Sequence, residues 1–134
     1  MAFGSEIYGY LSGVSGVTNI VSTRIYPVRL PDAPTLEAIV YTVISAPRTE
    51  DLSGSSGLGT AIVQIDCWAN TYSEANTLAE AVRQAMQGYS GTMGGTTVEG
   101  VHLLDELDNF EEDINERRKI LRFSIWFRET KPSF

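Results

Sequence analysis

The chain has 134 residues and a formal net charge of −7. That length suits one domain burying roughly two thirds of its unfolded surface around a single core. The acidic balance argues against a protein that grips nucleic acid through phosphates, because such contacts need a surplus of Lys and Arg. No apolar run approaches the length of a membrane span, and the N-terminus lacks the order of a signal peptide, so a soluble protein made in a cytoplasm is expected.

From Phe3 to Leu11 the residues Phe3, Ile7, Tyr10 and Leu11 share one helical face. Gly4, Gly9, Gly13 and Gly16 interrupt it, each weakening a helix by about 1 kcal/mol relative to Ala. A marginal first helix, held by docking, is expected, with a further helical turn over Thr18 to Val21. Thr23 to Val28 then reads as a short strand ended by Pro27, and Leu30 to Pro34 as a proline-punctuated loop. Ala38 to Ser45 is rich in β-branched and aromatic residues on both alternating sets, the pattern of a central strand. Pro47 to Gly59 is polar and glycine-rich, which predicts a long mobile excursion between two paired strands. Its glycines do not make a phosphate-binding loop, since no Gly-Lys-Ser/Thr ending is present and a strand follows.

The stretch from Thr60 to Gly88 carries the clearest pattern. From Ala61 to Ala69 the odd positions Ala61, Val63, Ile65, Cys67 and Ala69 are small or apolar, giving a strand with one buried face. Thr71-Tyr72-Ser73-Glu74 fits a capping box, the Thr71 hydroxyl accepting from the Glu74 amide while the Glu74 carboxylate reaches back. Ala75, Leu78, Ala79, Val82, Ala85 and Met86 then fall on one helical face, and Gly88 supplies a stop. The alanines let the helix sit close on the strand. Cys67, the only cysteine, lies on the apolar side, so it reads as a buried structural residue and not a catalytic thiol.

Gly88 to Thr96 reads as a second glycine-rich connection, and a third long strand begins near Thr97. Period two places Val98, Gly100, His102 and Leu104 opposite Val101, Leu103 and Asp105, with strand character running to Phe110. The acidic segment Glu111 to Glu116 forms a hairpin region, followed by Arg117-Arg118-Lys119, where opposite charges across the strands favour the register by roughly 0.2 to 1 kcal/mol per pair. In the last strand Leu121, Phe123, Ile125 and Phe127 alternate with Arg122, Ser124, Trp126 and Arg128. The expected fold is therefore α+β: a mixed, mainly antiparallel sheet of four to five strands, one long helix packed on it, a short N-terminal helix, and a long loop between the second and third strands.

Asp105, Glu106, Asp108, Glu111, Glu112 and Asp113 offer enough oxygens for a divalent cation, as a small metal-dependent enzyme would require. The spacing does not match an EF-hand loop, and apolar Leu107 and Phe110 fall between the acids, so a solvated strand edge is the simpler reading. His102 is the only histidine and sits between Gly100 and Leu104 on its face, which suits a surface strand residue better than a triad member. Trp68 and Trp126 both occupy the less apolar face of their strands, where large aromatics cover a core edge or anchor a contact. No cofactor or metal site is expected. A monomeric ligand-binding α+β domain remains the other alternative, and would need one apolar pocket and no self-association.

Taken together, Arg24-Ile25-Tyr26-Pro27 with Leu30-Pro31, Ala46-Pro47-Arg48-Thr49 through Leu52-Ser53-Gly54, Gln64-Ile65-Asp66-Cys67-Trp68-Ala69, the helix from Glu74-Ala75 to Leu78-Ala79, and Leu104-Asp105-Glu106 resemble the tail-completion proteins of long-tailed bacteriophages, also called tail terminator or tail-to-head joining proteins. The resemblance covers roughly Arg24 to Phe127 and departs in the glycine-rich first helix. It implies a structural, non-enzymatic virion subunit, assembled in the host cytoplasm, that forms a homo-hexameric ring on the head-proximal end of the tail tube. Such a ring stops polymerisation of the major tail tube protein and offers a docking surface to the head–tail connector, while DNA passes through without specific binding. The interface candidates are Arg48, Thr49, Asp51 and Leu52 in the loop, Trp68, and the row Arg122, Trp126 and Arg128.

Overall fold

A computed structural model describes residues 4–31, 35–45, 48–51, 54–93, 96–111 and 116–128. Among these residues there are three helices and seven strands: α1 (Gly4–Leu11), α2 (Ser15–Val21), β1 (Ile25–Pro27), β2 (Ala38–Ser45), β3 (Arg48–Asp51), β4 (Gly54–Ala69), α3 (Tyr72–Met86), β5 (Gly91–Met93), β6 (Thr96–Glu111) and β7 (Glu116–Arg128). They build one sheet in the order β1-β2-β4-β7-β6-β5, with β3 also on β4. Only β1 and β2 pair in parallel; the other pairs are antiparallel. The α+β class and the mainly antiparallel sheet are as the sequence predicts, but seven strands replace four to five, and two short helices precede the long one.

Two long hairpins lie side by side. The first sets β2 and β3 against β4, and the second sets β6 against β7; β4 and β7 then pair without a break from Leu58↔Arg128 to Ala69↔Arg117. This corrects the long loop expected over Pro47 to Gly59. Arg48 pairs with Gly59, Glu50 with Ser55 and Asp51 with Gly54. A polar, glycine-rich sequence enters a sheet here because backbone hydrogen bonding between strands needs no apolar side chains. Pro47, Leu52 and Ser53 lie outside the described residues. The second connection is likewise shortened, since β5 pairs with the start of β6 through Gly91↔Val98 and Met93↔Thr96.

The inner face of the sheet and the three helices enclose the core. Ile39, Ala61, Val63, Ile65, Cys67, Leu121, Phe123, Ile125 and Phe127 are fully buried there, against Ile7, Leu11, Val17, Val21, Leu78, Val82 and Met86. Gly59 is required beneath Phe127, because a Cβ at that position would stand 2.6 Å from the ring. Helix α3 starts as its sequence dictates. Thr71 Oγ1 accepts from the Glu74 amide at 3.2 Å, and the same hydroxyl donates to the Glu74 carboxylate at 3.0 Å. Past its end, Gly88 takes a φ of 77° and donates its amide to Val101, which fixes the return of the chain to the sheet.

Strand β6 departs from simple alternation. Register shifts between Val98 and Gly100 and again between Leu103 and Asp105. Each extra residue inverts the facing of the residues C-terminal to it. Val98 therefore joins Val101 on the inner face instead of opposing it, and Leu104 is left 52% exposed beside Asp105.

Candidate assembly surface

No described helix covers the outer face of the sheet. Cross-strand register identifies its occupants. Ala38 and Val40 of β2 lie beside Trp68 and Asp66 of β4; Asp66 and Trp68 lie beside Ile120 and Arg118 of β7. Further along, Ile62 and Gln64 neighbour Ser124 and Arg122, and β6 adds Gly100, His102, Asp105 and Leu107. Trp68 and Trp126 share this face, as their alternation predicts, but they stand in opposite surroundings.

Trp68 is only 9% exposed. The guanidinium of Arg118 stacks over its ring at 5.0 Å, and the 28–30 segment after β1 stands beside it around a cavity of about 310 Å³. Arg118 reaches on to the Asp66 carboxylate at 3.3 Å, and the Gln64 side-chain amide donates to the other carboxylate oxygen at 2.9 Å. Burial nonetheless pushes the Asp66 carboxyl above its ordinary value; the hydrogen bond from Gln64 and the charge of Arg118 offset only part of the desolvation. On the other face of β4, burial and then the neighbouring Asp66 charge push the Cys67 thiol up, which keeps it protonated and inert.

Trp126 is 47% exposed and stands on one row with Arg122 and Arg128. Arg122 makes a bidentate pair with Asp105, one branch measuring 2.9 Å, which holds the Asp105 carboxyl below its ordinary value. Arg128 approaches Glu99 at 3.3 Å. Leu104 and Leu107 of β6 and Ile44 of β2 are exposed as well. Register places Ile44 and half-buried Ile62 toward the Trp126 end of the face, Leu104 beside Arg122, and Leu107 with half-buried Ile120 toward the Trp68 end. Exposed apolar side chains set among arginines, with one exposed indole, have the composition of a protein contact.

The remaining sequence candidates divide. Arg48, Thr49 and Asp51 belong to β3 and lie at the hairpin end, while Leu52 falls outside the described residues. Ile44, Leu104 and Leu107 were not singled out from the sequence; for the two leucines the β6 bulges hid the signal. His102 is exposed on the outer face opposite Ser124, as a surface strand residue. The acidic stretch of β6 is engaged by cations: Lys119 Nζ lies 3.3 Å from Asp108 and 3.9 Å from Glu106, and donates to Asn76 at 3.1 Å. Glu112 and Asp113 lie outside the described residues, and among those described no three His, Cys, Asp or Glu side chains group as metal ligands. No described helix is long and apolar enough to cross a membrane.

The fold is α+β, with one sheet face that no described helix covers. Residues 5–128 match the family described as Tail completion protein gp17, and the chain belongs to that family of bacteriophage tail structural proteins. Among solved structures, a chain of the virion of a native gene transfer agent particle superposes with a TM-score of 0.71 at 19% identity, covering 91% of each chain. A second solved chain aligns with a TM-score of 0.63 at 10% identity over 99% of each. These two likenesses concern the fold. No curated protein matches the chain in sequence.

Proposed function

We propose that this protein is a non-enzymatic ring subunit, six to a ring, that closes the head-proximal end of the phage tail tube. The ring stops addition of the tail tube protein on one side, presents a docking surface to the head–tail connector on the other, and lets DNA pass through its hole. The family match over residues 5–128 carries this reading. The exposed Trp126 row supports it as the subunit contact, with Trp68 at the closed end of the same face, and the β3–β4 hairpin bearing Arg48, Thr49, Asp51 and Leu52 is assigned to the partners above or below the ring. A net charge of −7 favours passage of DNA over its retention. The whole described chain acts as one tail-completion domain.

The deciding experiment is complementation. Purified protein added to a lysate of phage lacking this component is expected to convert unjoined heads and tails into infectious particles, and the particle mass of the joined complex is expected to contain a ring of copies. Failure to join, or a single copy per tail, sinks the proposal.

A further inference from the structure

A closed ring uses a heterologous contact, in which one patch of each subunit meets a different patch of the next. The outer sheet face supplies one patch. The second is found on the opposite side of the molecule, where α2 and α3 leave a shallow groove of about 660 Å³. Its floor is apolar: Val14 and Ile20 on one side, Ala81 and Ala85 on the other. Ala81 and Ala85 border the apolar face of α3 beside Glu80 and Gln84, and their small size is what leaves room for a large side chain.

We propose that this groove receives the Trp126 row of a second copy of the same chain. The inference rests on the ring reading and names the surface that the ring contact lacks. Shape agrees, because an exposed aromatic on one face meets an open apolar trough on the other. Charge agrees as well, because Arg128 stands beside Trp126 whereas the groove rim carries Glu80. Trp126 and Arg128 are two strand residues apart, about 7 Å. Ala85 and Glu80 are five helix residues apart, a rise of about 7.5 Å along the helix axis. Both line the groove, so with the indole seated at Ala85 and the strand running toward Glu80, Arg128 comes within reach of Glu80 of the neighbouring copy. Both side chains are about half exposed, and their contacts within the subunit, to Glu99 and Arg83, are surface pairs that can exchange at little cost. Contacts through opposite faces propagate head to tail, the arrangement a ring requires.

The test is disulfide trapping in assembled protein, free or on tails. The only native cysteine, Cys67, is fully buried and does not compete. Under mild oxidation the double variant Glu80→Cys with Arg128→Cys is expected to give a ladder of covalent oligomers, whereas each single variant gives none. A parallel variant, Ala81→Glu, is expected to sediment as monomer while its circular dichroism matches the wild type. Wild-type assembly without a ladder overturns this inference and leaves the ring standing; so does a covalent dimer from Arg128→Cys alone, which marks an isologous contact, or normal assembly of Ala81→Glu. Wild-type protein that stays monomeric both free and on tails overturns the ring reading and this inference with it.

Discussion

The two tryptophans of the outer sheet face make an internal comparison. Trp68 and Trp126 sit on adjacent strands with the same orientation to the sheet, yet one is 9% exposed and the other 47%. The difference comes from what the chain places over them. At the Trp68 end, the 28–30 segment and Arg118 close the surface, and two strongly buried outer positions, Ala38 and Val40, extend the core through the sheet. At the Trp126 end no described helix lies over the indole, its cross-strand neighbours are the small Thr60 and Gly100, and its row continues in Arg128. One face thus performs two tasks, closing the fold at one end and offering a contact at the other. Chemical identity of a side chain does not say which task it has.

The largest effect separates the two ends directly. Trp68→Ala removes a nearly buried aromatic and unseats Arg118 from its ring, so a loss of about 3–5 kcal/mol of folding stability is expected, the range for such truncations. Urea unfolding followed through the remaining tryptophan measures it. A loss well under that range would show that Trp68 is not part of the core and would erase the comparison. Trp126→Ala is the counterpart. Folding stability should barely change, while a contact that uses the indole as its anchor should weaken by about 2 kcal/mol or more, roughly 30-fold in affinity. Particle mass as a function of concentration, alongside the same urea titration, reads both quantities. Unfolding of this variant would move Trp126 to the core, and undiminished assembly would remove it from the contact.

A third substitution tests whether the open end is open on one side only. Gly59 pairs with Phe127 directly below the row that carries Trp126, and its missing Cβ makes room for the buried ring. Gly59→Ala should therefore cost about 1–3 kcal/mol of folding stability, as overpacking does. The expected outcome is a lowered urea midpoint for Gly59→Ala beside an unchanged one for Trp126→Ala, two positions on neighbouring strands read by opposite faces of the same sheet. Equal effects would deny that distinction.

Much of this architecture was legible because its physics is local. Strand β7 pairs regularly along its length on β4, so its inner Leu121, Phe123, Ile125 and Phe127 and its outer Arg122, Trp126 and Arg128 follow period two as the sequence shows. The start of α3 followed from Thr71 and Glu74 alone. Strand β6 was misread, because each bulge shifts the phase of its alternation, so a single period of two laid from Val98 to Asp105 assigns the wrong faces. The hairpin over 48–59 was missed for a related reason: its serines and glycines pair through the backbone, and composition reports only side chains. The site was half legible. Which face carries both tryptophans follows from alternation, but the covering of Trp68 depends on a segment some forty residues earlier that the sequence divides between the end of a short strand and the start of a loop.

The smallest effect contrasts the two acid–arginine pairs of the same face, and it appears in pH and not in the midpoint at one pH. Asp66 has its folded pKa raised above the ordinary 3.8, first by burial. Between 3.8 and that raised value the folded state holds more protons than the unfolded, so stability falls as pH rises through the window. Asp105 has its folded pKa lowered, first by the hydrogen bond from Arg122; its contribution is present above 3.8 and is lost as pH falls through the depressed value. Asp66→Asn should therefore flatten the decline on the high side of 3.8, and Asp105→Asn the loss on the low side, part of which remains because Glu80 is also lowered by its bond to Arg83. Asp66→Asn also deprives Arg118 of a charged partner, which lowers stability wherever the carboxylate would be ionised, so each profile must be followed from well below to well above 3.8 and compared in the sign of its slope in each window. Urea midpoints across that range, for wild type and both variants, supply the slopes. If Asp66→Asn flattens the acid side instead, the carboxylate is held by Arg118 more strongly than burial opposes it, and the Trp68 end is electrostatically the same as the Trp126 end.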